Sequence, residues 1–357
     1  MAERSRFVRG LADARRGLPI ATRPSAARVR CPTGAGPAPR NGTVSSPRTG
    51  ASKGDTLAQR KLHADEVSID ISLVRRLLET QHPTLARLRI QPIPLRSTGT
   101  VNAVYRLGRD LCVRLPRVAA AVDELEKELN WLPRLASHLS LEIPEPVAVG
   151  RPQGDEYPWP WAVYRWIDGT PFARTAVTDE RQAAQDLAAF VAQLRRLDPA
   201  GGPPSGRPPL SELDAVTREA IDAPVAIPDR EAVRQAWTTA LLAPRWDGEP
   251  VWHHGDLLPP NVLIREGRLA AILDFGSVGI GDPALDLVPA WSLFGPDGRK
   301  VFRQTLGGDE GLWSRVRGYA LHQALLIIPY YSKSHPAFVA MARRTIREVL
   351  SDHTTCD

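Results

Sequence analysis

Five carboxylates or amides crowd a short stretch of this chain, Val251–Trp291: Asp256, Asn261, Asp274, Asp282 and Asp286. Two apolar runs inside it, Asn261–Ile264 and Leu269–Leu273, are joined by Glu266-Gly267, the composition of a tight turn. They predict a β-hairpin with Asp256 and Asn261 just before its first strand and Asp274 just after its second. Three oxygen donors then meet at one end of a small sheet. That set suits phosphoryl transfer with Mg2+. The ion is hard and takes one or two protein carboxylates or amides together with substrate phosphates. Asn261 and Asp274 fit the metal. Asp256, held off it, fits a base that orients an attacking hydroxyl.

The spacing from His254 through Asp256 to Asn261 is H-G-D-x-x-x-x-N, and Asp274-Phe275-Gly276 reads D-F-G. Both match the kinase catalytic loop and the metal-binding turn that follows it. The fuller patterns, His254–Leu263 and Asp274–Leu287, resemble the aminoglycoside phosphotransferase family within the protein-kinase-like superfold. The resemblance runs more loosely over Leu62–Leu350. It implies an α+β, two-lobed fold with a small antiparallel-sheet lobe and a mostly helical one. It also implies a kinase that moves the γ-phosphate of ATP or GTP to a small alcohol. Asp274 runs quickly into Gly281-Asp282-Pro283 with no A-P-E segment, so protein acceptors are not expected.

The resemblance assigns further residues. Ser97, Thr98 and Gly99 fall where kinases place a phosphate-covering loop, though with one glycine a plain turn is the alternative. Arg114 stands where kinases hold phosphates with Lys; its fork can grip phosphate bidentately, and a solvated strand charge is the alternative. Period two puts Cys112 on the same strand face, roofing the adenine pocket. A helix over Ala121–Leu139 carries Glu124 and Glu128 one turn apart. Glu128 is the one implied to pair with Arg114, and Pro133 is expected to kink this helix. Ala162–Trp166 becomes the last strand of the small lobe, with Tyr164 and Trp166 near a nucleotide-binding hinge at Arg165–Asp168. His254 is implied to brace the backbone near Asp274 and Asp286 to tie the loops from behind. Asp282 reads equally as a helix cap.

Elsewhere the pattern is plainer. Ser68–Thr80 reads as a capped helix, Thr100–Leu107 and Leu111–Leu115 as a hairpin about Gly108-Arg109-Asp110, and Ile143–Pro146 as an extended connector. Asp179–Leu197, Leu210–Ala223, Arg230–Leu242, Asp286–Phe294, Leu312–Pro329 and Pro336–Leu350 read as helices of the larger lobe. Pro199–Pro209 is a Gly/Pro loop in the section that contributes substrate contacts in similar enzymes. The organisation expected is a disordered basic extension over 1–61, a nucleotide-binding lobe over 62–167, and a catalytic, substrate-binding lobe over 168–357.

Composition bounds the rest. The chain has 357 residues and a net charge of +6, but residues 1–61 hold thirteen Lys or Arg against Glu3, Asp13 and Asp55. The remainder is therefore mildly acidic, which argues against nucleic acid as a partner. Three scattered cysteines, Cys31, Cys112 and Cys356, make neither a disulfide framework nor a zinc cluster. With no long apolar run and no signal segment, the expected setting is the cytoplasm, without membrane, as a monomer or homodimer. Three other readings stay open. The acceptor can be a macrolide or a choline- or homoserine-like metabolite. His253, His254 and Asp256 can ligate a hydrolytic metal. The chain can be a nucleotide-binding pseudokinase.

Overall fold

A computed structural model describes residues 67–93, 101–204 and 206–353. The basic extension over 1–61 and the segment holding Ser97, Thr98 and Gly99 lie outside the described residues.

The first half of the chain builds one antiparallel sheet. Helix α1 (Ile71–Gln81) precedes strands β1 (Ile90–Pro92), β2 (Asn102–Leu107) and β3 (Leu111–Pro116). Its cap is Asp70, not Ser68: the Asp70 carboxylate accepts from Leu73 N at 2.7 Å. Helix α2 (Ala120–Leu135) follows, then β4 (Pro146–Gly150) and β5 (Trp161–Arg165). The sheet order is β1-β2-β3-β5-β4. Strand β4 was not expected, because its flanking prolines read as a connector. A proline is tolerated there since β4 is an edge strand.

The sheet's two faces enter different cores. Ala103, Tyr105, Leu107, Val113, Leu115 and Val163 pack against Leu73, Val74, Leu77 and Leu78 of α1. On the other face, Ala162 and Tyr164 join a larger core with Leu125 and Leu132 of α2 and the helices of the second half. Alternation along the strands thus aims Arg114, and its strand neighbour Cys112, toward the cleft side. Helix α2 ends earlier than expected, at Leu135, and Ala136–His138 tightens into a 3-10 turn. Pro133 is accommodated inside α2.

The second half supplies β6 (Thr170–Pro171), α3 (Glu180–Arg195), α4 (Leu210–Asp222) and α5 (Arg230–Leu241). Then come β7 (Val251–His253), β8 (Val262–Arg265), β9 (Arg268–Ile272) and β10 (Gly279–Gly281). The expected Asp286–Phe294 helix is broken instead into a 3-10 turn (Pro283–Leu287) and one short turn, α6 (Pro289–Ser292). A proline at 289 removes the N–H that would continue the helix. Helices α7 (Pro296–Leu306), α8 (Glu310–Tyr331) and α9 (Pro336–His353) complete the lobe. α7 went unforeseen. Among the described residues no helix is long and apolar enough to cross a membrane.

Candidate active site

The β8–β9 hairpin forms as its sequence requires. Val262 pairs with Ile272 and Arg265 with Arg268. Glu266 and Gly267 have φ of 53° and 75°, the signature of a two-residue turn that matches strand twist. Leu273 N donates to Asn261 O at 2.7 Å, which zips the hairpin base and sets Asp274 beside Asn261. Asn261 Nδ2 in turn donates to Asp256 O at 2.9 Å and to Asp256 Oδ2 at 3.1 Å. Asp256 and Asn261 are thus hydrogen-bonded to each other, and Asp274 directly follows the residue bonded to Asn261.

Two buried groups hold that run from behind. The Asp286 carboxylate is fully buried and accepts His254 N at 2.7 Å and Gly255 N at 2.8 Å. The ring of His254 is fixed at both nitrogens. Asp256 N donates to Nδ1 at 3.1 Å, so Nε2 carries the proton and donates to Leu273 O at 3.0 Å. Both ring nitrogens being spent, His254 can be neither an open metal ligand nor a base. Gly255 makes the bend possible: its φ is +79°, and a Cβ there would lie 2.9 Å from Ser277 O. Among the described residues no three His, Cys, Asp or Glu side chains gather as a metal cage, which disfavours the hydrolytic reading.

Asp274 itself sits at φ 64°, ψ 68°, a left-handed conformation rare for a residue with a side chain. Strained backbone of this kind clusters at functional sites. Gly276 follows because α2 comes close: a Cβ there would meet Glu124 Cβ at 2.9 Å.

From the sheet, Arg114 reaches the same place. Its Nη1 donates to both Glu128 oxygens, at 2.8 and 2.7 Å, and Nη2 lies 3.5 Å from Asp274 Oδ1. Glu128 is fully buried, and Tyr164 Oη donates to it at 3.0 Å. Burial opposes the guanidinium charge, but Glu128 and Asp274 outweigh it and hold the Arg114 pKa above its ordinary value. With its amide turned to present oxygen, Asn102 accepts from Arg114 Nε and Nη2 at 3.2 and 3.0 Å. Cys112 lies on the same face, its thiol pushed up to about 11 chiefly by burial, so it stays protonated at neutral pH.

Tyr164 and Trp166 part company. Tyr164 turns into the sheet to brace Glu128, whereas Trp166 stands at the cleft edge. Its indole donates to Asp168 Oδ1 at 2.7 Å, and Arg106 stacks 3.9 Å above its ring. These three residues line a shallow depression with Gln91 and Asp110.

The remaining boundary comes from residues that sequence reasoning did not single out. Gln323 of α8 donates to Asp256 Oδ1 at 2.8 Å, and Arg207 Nη2 lies 3.4 Å from the same oxygen. Arg207 was inside the Gly/Pro loop expected to touch substrate; nothing in the local pattern marked Gln323. Asp282 does cap, accepting from Ala284 N at 2.9 Å, and also pairs with Arg315 at 2.8 Å.

Residues 93–319 match the family model described as the phosphotransferase enzyme family. The chain belongs to this family. Like its other members it is a phosphotransferase acting on an alcohol group, with a kinase-like fold. It is 30% identical over 278 residues to viomycin phosphotransferase of Streptomyces vinaceus, covering 70% of this chain and 93% of that one. It is 28% identical over 219 residues to an aminoglycoside 3'-phosphotransferase of Escherichia coli, across 53% and 72% of the two chains. Among solved structures, the GDP and kanamycin complex of an aminoglycoside phosphotransferase superposes with a TM-score of 0.60 at 21% identity. That match covers 79% of this phosphotransferase and 98% of the other chain. A macrolide 2'-phosphotransferase from Brachybacterium faecium gives 0.51 at 21% identity, over 78% and 98%.

Proposed function

We propose that this phosphotransferase moves the γ-phosphate of ATP or GTP to a hydroxyl of a small molecule, with Asp256 as base. The observation that carries the reading is the continuous run Asp256–Asn261–Leu273–Asp274, met from the opposite wall by Arg114. Asp256 would accept the hydroxyl proton and hold the oxygen toward the phosphate. Arg114, aimed by Glu128, would bind phosphate oxygens, and the cleft face at Cys112 and the hinge at Arg165–Asp168 would take the base. Residues 62–167 would then serve mainly the nucleotide and 168–357 the acceptor.

The donor set fits Mg2+. Asn261 spends its amide nitrogen on Asp256, which turns its oxygen away from that carboxylate, and Asp274 offers a half-exposed carboxylate. Two such oxygens are what the ion asks of a protein. Bound there, the cation would offset charge on the phosphates.

Relatives are named for viomycin, aminoglycosides and macrolides, which supports an antibiotic or a comparable small alcohol as acceptor. The same reading places the enzyme in the cytoplasm as a monomer or homodimer, away from nucleic acid and membrane. The test is acceptor-dependent ADP release by purified protein and by Asp256→Asn. The substitution should cost about a hundredfold to ten-thousandfold in kcat while leaving the fold and Mg-ATP binding intact. Wild-type turnover by Asp256→Asn would remove the base from the scheme.

A further inference from the structure

Helix α8 is buried along most of its length, and Gln323 is one of its few half-buried side chains. The turn that carries it is tightly seated. A Cβ at Gly318 would lie 2.5 Å from Leu210 Cδ1 of α4. Tyr319 Oη donates to Pro208 O at 3.4 Å, and the ring of His322 meets Thr217 Oγ1 of α4 at 2.8 Å. A side chain on so fixed a turn has little freedom to search for partners. The one Gln323 meets is Asp256, to which its Nε2 donates at 2.8 Å.

An ionised carboxylate offers about four lone-pair positions, two on each oxygen. On Asp256 three are taken. Gln323 Nε2 and Arg207 Nη2 share Oδ1, at 2.8 and 3.4 Å, and Asn261 Nδ2 takes one position on Oδ2 at 3.1 Å. The second position on Oδ2 has no partner among the described residues. An acceptor hydroxyl therefore has one place to donate without breaking a bond already made.

The groups facing this carboxylate come from three elements. Its own loop gives Asn261 and the ring of His254, whose Nδ1 takes the Asp256 N–H. The loop between α3 and α4 gives Arg207, and α8 gives Gln323. His322, beside Gln323, is pushed down to about 3, by burial first, so this turn of α8 brings no charge at neutral pH. Two of the three side chains bonded to the carboxylate are thus uncharged amides. An amide holds an oxygen in place without neutralising it, and the carboxylate keeps its power to take a proton. A lysine at 323 would also hold the oxygen, but it would favour the ionised form and weaken the base.

Resting on the reading of Asp256 as base, we propose that Gln323 is its positioning residue: it fixes the carboxylate through Oδ1 and leaves the open position of Oδ2 for the acceptor. In the transfer, the acceptor oxygen bonds to the γ-phosphorus as the bond from that phosphorus to the β–γ bridging oxygen breaks. The electron pair of the broken bond stays with the departing nucleoside diphosphate, and the hydroxyl proton passes to Oδ2. A residue that only tied α8 to the loop would support the fold and leave that proton transfer untouched.

The experiment measures ADP release by full-length protein with Mg-ATP, with viomycin, kanamycin or water alone as acceptor, across the pH range in which the protein stays folded. Gln323→Met, similar in length but unable to donate, should lower kcat by about tenfold to a hundredfold, the worth of a hydrogen bond to a charged group. KM for ATP and the urea midpoint should stay in place. Gln323→Glu should move the acidic limb of kcat to higher pH, and Gln323→Lys should move it to lower pH at a reduced plateau. If a charged variant does not fold, kcat of Gln323→Met decides alone. Wild-type kcat in Gln323→Met overturns the proposal. So do acidic limbs that coincide in the two charged variants, and a loss in Gln323→Met that follows the urea midpoint or falls on KM for ATP. These results leave Asp256 standing as base wherever Asp256→Asn is inactive, whereas full turnover by Asp256→Asn overturns that reading and this one together. Wild-type protein that releases no ADP to any of the three acceptors overturns the kinase reading itself.

Discussion

Beside β3, Glu128 is fully buried between Arg114 and Tyr164, whereas Asp274, 3.5 Å from the same Arg114, keeps half of its side chain exposed on a strained backbone. The same contrast recurs in the loop His254–Asn261 and its support. Asp286 is fully buried and satisfied by two backbone N–H groups, while Asp256 is held by the side chains of Gln323 and Arg207, the second at a long 3.4 Å. Supporting charges are saturated by fixed partners; the charges facing the cleft are not. The difference is physical. A buried unpaired charge is costly, so whatever aims the site has to be closed on itself. Residues that must exchange partners with substrate have to remain partly wet or weakly bonded.

This contrast can be broken most severely at Glu128. Glu128→Ala leaves Arg114 buried beside only its weaker partners and should destabilise the fold by about 3–5 kcal/mol, read by urea unfolding. Asp274→Ala, at the exposed end, should change stability by less than about 0.5 kcal/mol while abolishing ADP release. Equal losses of stability in the two variants would erase the distinction.

Acid sharpens it next. His253 is held near 4 against an ordinary value of 6.5, chiefly by burial. The unfolded chain therefore binds the extra proton first as pH falls. Stability is full above about 6.5, declines through the window down to about 4, and changes no further on this account below it. His253 alone accounts for on the order of 3 kcal/mol over that window. Thermal unfolding from pH 8 to pH 4 should show the decline, and His253→Leu should reduce it, leaving the share of His322, which burial pushes down to about 3. A Tm independent of pH in that range would refute the buried neutral state.

A milder loss of stability than at Glu128 or His253 is expected at Gly255. Gly255→Ala forces a side chain into a left-handed bend and against Ser277 O, at a cost of about 1–3 kcal/mol. Its signature is a fall in kcat from a displaced Asp256 with Mg-ATP binding retained, measured by nucleotide titration. Loss of nucleotide binding in this variant would show that the two ends of the cleft are not independent.

Much of the site was legible before any fold was known. The offsets from His254 to Asp256, Asn261 and Asp274 are local, and the two-residue turn at Glu266-Gly267 sets the register at the hairpin tip, although a shift between Leu263 and Ile264, which no turn signal marks, sets it at the base. Period two likewise placed Arg114 and Cys112 on one strand face. Element ends were less legible. Ser68 and Asp70 are both competent caps, and only the entry of the chain into α1 selects Asp70. The prolines before β4 read as a connector because an edge strand and a free segment share that composition.

What local pattern determined, then, was the loop His254–Asn261, its hairpin and the strand that faces it, because their geometry depends on residues a few positions apart. Tertiary structure decided which carboxylate of α2 meets Arg114, why Tyr164 turns inward while Trp166 does not, and that Arg207 and Gln323 stand on Asp256. Those contacts join residues 14 to 67 positions apart in the chain. No periodicity or turn signal reaches that far; only the packing of α2 and α8 against the cleft brings such partners within hydrogen-bond range.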